Sequence, residues 1–248
     1  MAAGSIRAGI GGWTFEPWRG TFYPEGLPQA RELEYAGQHL TAIEINGTFY
    51  RTQAPASFVK WRDAVPESFV FSVKASRFCT NRKVLAEAGE SIGKFLGQGL
   101  TELGGKLGPI LWQLAATKKF DPDDMAAFLA LLPAQEDGLP LRHALEARHE
   151  SFDDPAFFEM ARRHNVAVVF ADSAKYPKFD EQTADFTYAR LQNTREDVPT
   201  GYTDAELDGW AKQVQGWAKG GRDVFAFFIS GAKVRAPAAA QALIARLA

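Results

Sequence analysis

Short runs of apolar residues recur along the chain, and most of them are separated by segments with a helical pattern. This alternation favours a parallel sheet built from βα units. The pattern predicts eight strands, at residues 6–11, 42–46, 69–74, 109–113, 143–148, 166–172, 186–191 and 223–229. About 250 residues is the usual size of a TIM-type (β/α) barrel, and the chain has 248. The sequence therefore predicts an α/β fold of that class, with about eight parallel strands.

Helix start signals fall between the predicted strands. Asp121 and Asp154 each precede a proline, which places a capping carboxylate beside a residue suited to the first helical turn. Thr203 and Glu206 have the spacing of a capping box.

Residues 172–185 show no helical period, so we expect an ordered lid or a poorly helical connection there. No linker-like stretch interrupts the sequence, and residues 1–248 are expected to form a single domain.

Composition is that of an ordinary globular protein, with 46% apolar and 23% charged residues. The longest apolar runs are too short to cross a bilayer, and the first residues lack a signal-peptide pattern. We therefore expect a cytoplasmic protein with no membrane partner.

A net charge of -2 argues against a surface that is basic throughout, but it leaves room for a local basic cleft that binds an anion or nucleic acid. The oligomeric state stays open.

Strand alternation gathers polar side chains at the carboxyl ends of the strands. In the second strand Glu44 and Asn46 share one side, while Ile43 and Ile45 share the other. Alternation along the other strands likewise predicts which side chains point inward. At the carboxyl end of the barrel the predicted inner residues are Glu44, Asn46, Lys74, Gln113, Glu146, Arg148, Asp172, Tyr188 and Arg190. Barrel enzymes have their active sites at this end, so the set is a candidate site.

Two interpretations of this set remain open. Its three carboxylates and three cations are formally balanced, which is compatible with a salt-bridged plug. In a ligand site, the arginine forks would bind a phosphate or carboxylate, and Lys74 would bind an oxyanion or donate a proton. Glu44 or Glu146 would then act as general acid or base. We also expect Glu44 to contact Lys74, directly or through water, because inward residues of neighbouring strands meet.

Cofactor signals are weak. The glycine-rich stretches at 9–15 and 103–108 lack the spacing of nucleotide-binding loops, so no nucleotide cofactor is expected. Cys79 is the only cysteine, which excludes an intramolecular disulfide and a cysteine-based metal site. Side chains of the candidate site that offer oxygen or nitrogen ligands are Glu44, Glu146, His149 and Asp172. The neighbouring cations disfavour a metal among them, and no metal ligand is assigned.

Aromatic side chains follow several strands near the same end of the barrel. They are Trp13, Phe15, Trp18, Phe49, Tyr50 and Tyr176. Rings beside arginines such as Arg51 and Arg77 can stack on bases, so nucleic-acid recognition is a second hypothesis, and loop packing is the alternative role of these rings. A non-catalytic ligand-binding protein is a third hypothesis.

Seven motifs, in order, resemble one family across nearly the whole chain. They are GIGGWTFEPWRGTFYPEGLP, EINGTFYR, FSVKASR, LGPILWQLA, LEARHESF, ADS and GYTDAEL. Through them the chain is identified as similar to the YecE-like family, domain of unknown function 72. The resemblance implies a TIM-type barrel with a likeness to endonuclease IV-type barrels, and it implies no established activity. The positions that match the family pattern are Glu44, Asn46, Thr48, Phe49, Tyr50, Arg51, Lys74, Gln113, Glu146, Arg148 and His149.

The segment after the last strand departs from the family pattern. Relatives commonly carry an Asn/Asp-containing segment and a GHAPxNA-like motif, whereas residues 229–240 read ISGAKVRAPAAA. The polar groups expected there are largely lost, which leaves a silent member of the family as an alternative.

The leading hypothesis is an enzyme, a hydrolase or lyase, that acts on an anionic small molecule or phosphoester at the mouth of the barrel. The residues predicted to be catalytic are Glu44, Lys74 and Glu146. Those predicted to bind ligand are Trp13, Asn46, Tyr50, Arg51, Gln113, Arg148, His149, Asp172, Tyr176 and Arg190.

Overall fold

Parallel strands form a ring in the computed structural model, which describes residues 3–248. In chain order the strands are β1 (Ile6–Gly11), β2 (Ala42–Ile45), β3 (Val70–Lys74), β4 (Leu107–Gln113), β5 (Gln135–Glu136), β6 (Leu139–Pro140), β7 (His143–Glu146), β8 (Val166–Val168), β9 (Phe170–Asp172), β10 (Phe186–Leu191) and β11 (Asp223–Phe228). The parallel sheet has the order β8-β7-β4-β3-β2-β1-β11-β10-β9, while β5 and β6 form a separate antiparallel pair. Only Val169 separates β8 from β9. These two segments are therefore halves of one strand that closes the ring.

The predicted strands are confirmed, with ends that differ by at most two residues. The α-helices are α1 (Glu32–His39), α2 (Gly47–Tyr50), α3 (Pro55–Asp63), α4 (Arg77–Thr80), α5 (Gly89–Leu96), α6 (Pro122–Ala130), α7 (Pro155–Arg163), α8 (Asp204–Trp217) and α9 (Ala236–Leu247). Asp121 and Asp154 accept backbone N–H bonds at the starts of α6 and α7. Thr203 and Glu206 form the predicted capping box of α8. Local sequence signals thus place the helices that surround the sheet.

Side chains on the outer face of the strands pack against these helices. Phe170 lies with its ring centroid 4.9 Å from that of Trp217 in α8, in an edge-to-face arrangement. Trp112 of β4 makes a similar contact with Phe128 of α6 at 5.9 Å. Both pairs bury large apolar rings between sheet and helix, which is the main favourable term in such packing. The apolar stripe of α8 is therefore core, as its spacing indicates.

The barrel interior changes from apolar to polar along the strands. Its first layers contain Ala42, Val70, Phe186 and Phe225, all buried. Toward the carboxyl ends the inward positions are polar and buried, and they are Glu44, Ser72, Lys74, Gln113, Glu146 and Arg190. The apolar layers leave the polar groups at one end only.

The connection from β9 to β10 is ordered but not helical across the described residues 173–185. Phe179 is 5% exposed and anchors the segment against Phe158 of α7. The Thr183 hydroxyl donates to the Val166 carbonyl at 2.7 Å and accepts from the Val168 N–H at 2.8 Å. The prediction that this stretch lacks a helix is confirmed, and the segment forms part of the rim.

Among residues 3–248, none of the helices combines the length and the apolar character that crossing a bilayer requires.

Candidate functional site

Arg190 is the centre of a buried ion network at the carboxyl ends of the strands. Its Nε and Nη2 donate to the two carboxylate oxygens of Glu44 at 3.1 Å each, and its Nη1 donates to Glu146 Oε2 at 2.6 Å. Arg190 is 3% exposed and both carboxylates are fully buried. Burial alone would lower the pKa of Arg190, but the charges of Glu146 and Glu44 outweigh burial and raise it. The guanidinium therefore stays charged inside the barrel.

Further donors complete the coordination of the two carboxylates. The Tyr188 hydroxyl donates to Glu44 Oε2 at 2.7 Å. On Glu146, the Gln113 amide donates to Oε2 at 2.6 Å and Arg148 Nε donates to Oε1 at 3.0 Å. Burial tends to raise the pKa of Glu146, yet the charges of Arg190 and Arg148 hold this pKa below its ordinary value. Each carboxylate oxygen thus has a donor, and Glu146 is ionised.

Lys74 is bound to Gln113 and not to Glu44. Its Nζ donates to the Gln113 amide oxygen at 2.8 Å and lies 4.2 Å from the centroid of the Phe49 ring. The direct form of the predicted contact with Glu44 is wrong, because the fork of Arg190 already occupies that carboxylate, and the water-bridged form stays a prediction. Burial, followed by the positive charge of Arg190, lowers the pKa of Lys74 to about 8. A group with this pKa exchanges its proton near neutral pH.

A cavity of about 350 Å³ lies at the mouth of the barrel above this network. The side chains and backbone that line it belong to Gly11, Trp18, Asn46, Tyr50, Lys74, Gln113, Arg148, Arg190, Phe228, Ile229, Ser230, Lys233 and Ala236. No Asp or Glu of the described chain is part of this lining. We call it the first cavity. The network presents its cations to the first cavity and keeps its carboxylates beneath the floor.

Lys233 belongs to the first cavity and was missed from the sequence. Its Nζ lies 4.4 Å from the centroid of the Phe15 ring and 5.3 Å from that of Trp18. The Trp18 indole N–H donates to the Lys233 carbonyl at 3.0 Å, which fixes the backbone of this segment. Burial lowers the pKa of Lys233. The segment after the last strand has therefore not lost all its polar groups. The sequence signal that could have identified Lys233 was a lysine in the segment after the last strand, which barrel topology places at the mouth.

Asp172 lies outside the first cavity, contrary to the prediction. It shares the outer side of its strand with Phe170, and its Oδ2 accepts a hydrogen bond from the Tyr202 hydroxyl at 3.2 Å. Ala167 and Val169 occupy the inner side of the same strand, as alternation requires. The assumption that the last polar residue of the strand points inward was wrong. Asp172 instead lines a separate surface pocket with Tyr202 and Arg195.

The charges of the network consequently do not balance. Lys74, Arg148 and Arg190 lie around the buried pair of Glu44 and Glu146, and Lys233 lines the same cavity, which gives a formal excess of two positive charges at the mouth. The formal charge balance that favoured a neutral plug is therefore not found, because Asp172 is absent from the set and Lys233 is added. All four cations line the first cavity, but each guanidinium nitrogen of Arg190 is already bonded to a carboxylate.

Other predicted ligand-binding residues are divided between the mouth and the surface. Asn46 and Tyr50 line the first cavity. Trp13 instead packs edge-to-face on Trp61 of α3 with ring centroids 5.2 Å apart. Arg51 is exposed, and none of the described residues bonds to its guanidinium. Trp13 and Arg51, which were also predicted to bind the ligand, are therefore not part of the described lining of the first cavity.

His149 and Tyr176 do not belong to the described lining of the first cavity. The His149 ring Nδ1 accepts from the Ser151 N–H at 3.1 Å and caps a short helical turn, so this histidine does not line the first cavity. Tyr176 stacks under the Arg148 guanidinium at 4.2 Å from the ring centroid. It contributes to a neighbouring cavity rather than to the first one. A local capping role explains the position of His149.

The side chains considered as metal ligands do not converge. Glu44 and Glu146 bond to Arg190, His149 to Ser151, and Asp172 to Tyr202. Within residues 3–248 no three His, Cys, Asp or Glu side chains are grouped so that they could hold a metal ion. Cys79 is buried, and burial raises the pKa of its thiol to about 12.

Comparisons with known proteins agree with the fold. Residues 7–248 match the model of a family described as "Protein of unknown function DUF72". UPF0759 protein YunF of Bacillus subtilis (strain 168) is 27% identical over 160 residues, which are 62% of this chain and 54% of that protein, so the chain spans about half of this relative.

Two solved structures of DUF72 family proteins superpose over almost the entire chain. The protein from Thermotoga maritima MSB8 has 24% identity and a TM-score of 0.74, with 97% of each chain covered. The protein from Enterococcus faecalis V583 has 19% identity and a TM-score of 0.75, with 99% of each chain covered. These likenesses show the shared fold, and the match over residues 7–248 shows that the chain belongs to the DUF72 family.

Proposed function

We propose that the first cavity binds an anionic small molecule, such as a phosphoester or a carboxylate, and that the protein is an enzyme acting on it. The observation that carries the proposal is the excess of positive charge at the mouth, with both carboxylates buried beneath the floor. Charges in a partly desolvated cleft attract an opposite charge more strongly than charges in bulk water. An anion would supply the negative charge that the network lacks.

Arg148 is suited to hold the anion. Its Nε is bonded to Glu146 and its guanidinium plane rests on Tyr176, so the fork is fixed before a ligand arrives. Lys74, which lies over Phe49, and Lys233, which lies over Phe15, add compact charges to the lining. Arg190 has each of its three nitrogens bonded to a carboxylate, so we assign it a structural role. Binding is thus divided among three cations that have access to the cavity.

Lys74 is the residue that we propose for proton transfer. Its pKa of about 8 lies near neutrality, where general acid–base catalysis is most efficient. In its charged form the ammonium would donate a proton to a leaving oxygen of the bound ligand. The buried carboxylates of Glu44 and Glu146 have no surface from which to reach a ligand. We therefore propose that they position the arginines, and a direct catalytic role for them stays a prediction from the sequence.

Calorimetric titration with glucose 6-phosphate tests the binding step. Lys233→Ala should weaken binding by about tenfold, since a charge-assisted contact contributes roughly 1.5–3 kcal/mol. Lys219→Ala removes the same charge from an exposed residue just before β11, at the opposite end of the barrel, and should leave affinity unchanged. Equal effects of the two variants would refute the assignment. Release of inorganic phosphate tests turnover, and specific binding without turnover of any phosphoester would favour a non-catalytic ligand-binding protein.

A second candidate function, recognition of nucleic acid, rests on two exposed rings at the rim. Tyr50 is 66% and Phe78 is 62% exposed, and the Arg77 guanidinium lies 5.3 Å from the centroid of Phe78. Exposed rings beside cations are platforms on which unpaired bases stack. Binding of a fluorescent oligothymidylate should then weaken with salt and in Phe78→Ala. No binding at low salt would reject this candidate.

A further inference from the structure

A second cavity, of about 430 Å³, adjoins the first at the mouth of the barrel. Arg148 and Ser230 line both cavities, so the two spaces meet along these residues. We propose that the second cavity is a subsite for a second anionic group of the same ligand. This inference rests on the proposed function and specifies its substrate class.

Gln192 marks the second cavity as a binding site. The side chain is 8% exposed and lines the cavity, yet its amide nitrogen has no hydrogen-bond partner among residues 3–248. A buried polar group without a partner costs free energy, and most such groups in proteins are satisfied. Rotation about the terminal torsion of Gln192 would bring its N–H to a ligand oxygen. A bound oxygen-rich group would therefore remove this cost.

The charges of the second cavity indicate that its ligand is anionic. Lys175 and Arg148 contribute positive charge, and the described lining contains no carboxylate. Asp172 is close in sequence, but it faces Tyr202 on the outer side of its strand. Lys175, Arg148 and Gln192 together provide donors for a phosphate or carboxylate.

The wall between the two cavities is held in a fixed position. Gly231 has φ +58, and a Cβ at this position would lie 2.7 Å from both the Gln192 carbonyl oxygen and the Thr194 hydroxyl oxygen. The loop after β11 can therefore lie directly against the end of β10 only with glycine here. Ser230, the residue before this glycine, lines both cavities. Two rigid neighbouring subsites of this kind fit one ligand with two anionic ends, and a sugar bisphosphate is a compound of this class.

Two matched compounds test the inference by calorimetry. Glucose 6-phosphate has one phosphate, and glucose 1,6-bisphosphate adds a second to the same sugar. The bisphosphate should bind at least about tenfold more tightly to the unmodified protein. Lys175→Ala and Gln192→Met should abolish this gain while leaving the affinity for the monophosphate unchanged. Lys178→Ala, an exposed lysine in the same connection but outside the lining, is the control and should preserve the gain.

Thermal unfolding separates a binding role of Gln192 from a structural one. Because its amide nitrogen has no partner in the described protein, Gln192→Met should not lower the melting temperature. A bisphosphate that binds no more tightly than the monophosphate overturns the second subsite and leaves the first intact. Bisphosphate binding that depends on Lys175 but not on Lys233 or Lys74, the cations that line the first cavity alone, would support the second subsite and overturn the proposed function. Absence of binding by both compounds overturns both proposals.

Discussion

Glu44→Gln tests whether the ion network is the structural scaffold of the mouth. The substitution keeps the shape of the side chain and removes its charge. Glu44 accepts three hydrogen bonds, two from Arg190 at 3.1 Å and one from the Tyr188 hydroxyl at 2.7 Å. The glutamine oxygen can accept the hydrogen bonds of one of the two carboxylate oxygens. The amide nitrogen then takes the place of the other oxygen, and its N–H faces an N–H of Arg190. The variant therefore loses one charge and creates one donor–donor contact in a fully buried position.

The expected loss of stability follows from these contacts. Breaking a buried ion pair costs about 3–5 kcal/mol because the remaining charge is uncompensated. Arg190 keeps Glu146 at 2.6 Å, which places the expected cost at the lower end, about 3 kcal/mol. For a domain of this size the corresponding fall in melting temperature is about 6–12 °C. Glu90→Gln removes an exposed carboxylate from its pair with Lys94 on α5 and is the control, with a midpoint close to that of the unmodified protein.

Ligand affinity separates the scaffold from a direct role in chemistry. Loss of the Glu44 charge increases the positive excess around the first cavity, so glucose 6-phosphate should bind at least as tightly to Glu44→Gln as to the unmodified protein. Calorimetry and thermal unfolding on the same preparation measure both quantities. A melting temperature within about 2 °C of the unmodified protein would refute the buried pairing. Weaker binding at unchanged stability would give Glu44 a direct role with the ligand.

Three other predictions concern the groups around this network. The affinity for glucose 6-phosphate should fall as pH rises through about 8, because Lys74 loses its charge there. The phosphoester has a second pKa of about 6 and stays fully ionised over this range. In a titration series, Lys74→Met should remove this fall in affinity. Arg148→Lys keeps the charge but loses the fork and the stacking on Tyr176, so calorimetry should show affinity weakened by about fivefold or more with little change in melting temperature. Tyr188→Phe removes the hydroxyl that donates to Glu44 and should cost about 1 kcal/mol in urea unfolding, whereas no loss would contradict that bond.

Strand alternation predicted much of the interior because burial enforces it. Glu44, Lys74, Gln113, Glu146 and Arg190 are buried on the inner face, as their spacing along the strands predicts. A shift of one residue would exchange the inner and outer faces of a strand and bury its polar groups among the apolar side chains of the helix layer. The sequence thus contains enough information to place these side chains when the strand assignment is correct.

The side-chain directions that were predicted wrongly are of two kinds. Some belong to loop residues, about which strand alternation gives no information, and one belongs to a strand whose inner and outer faces were exchanged. Asp172 was assigned inward as the last polar residue, although Phe170 two positions earlier belongs to the outer layer that packs on α8. Trp13 and Lys233 lie in loops, where side-chain direction depends on contacts with distant segments. Trp13 contacts Trp61, and Lys233 lies near Phe15. No periodic pattern in the sequence encodes those contacts.

The position of Arg190 connects the stability of the mouth to its chemistry. A guanidinium that is 3% exposed needs negative partners, and Glu44 and Glu146 supply them from two other strands. Because their charge is directed to Arg190, these carboxylates compensate Lys74 only in part, and burial prevails in lowering the pKa of Lys74 to about 8. The same pairing leaves Arg148, Lys74 and Lys233 as the charges that face the first cavity. The same network therefore underlies both parts of the proposed function, which are the attraction of an anion to the mouth and proton transfer by a lysine with a pKa of about 8.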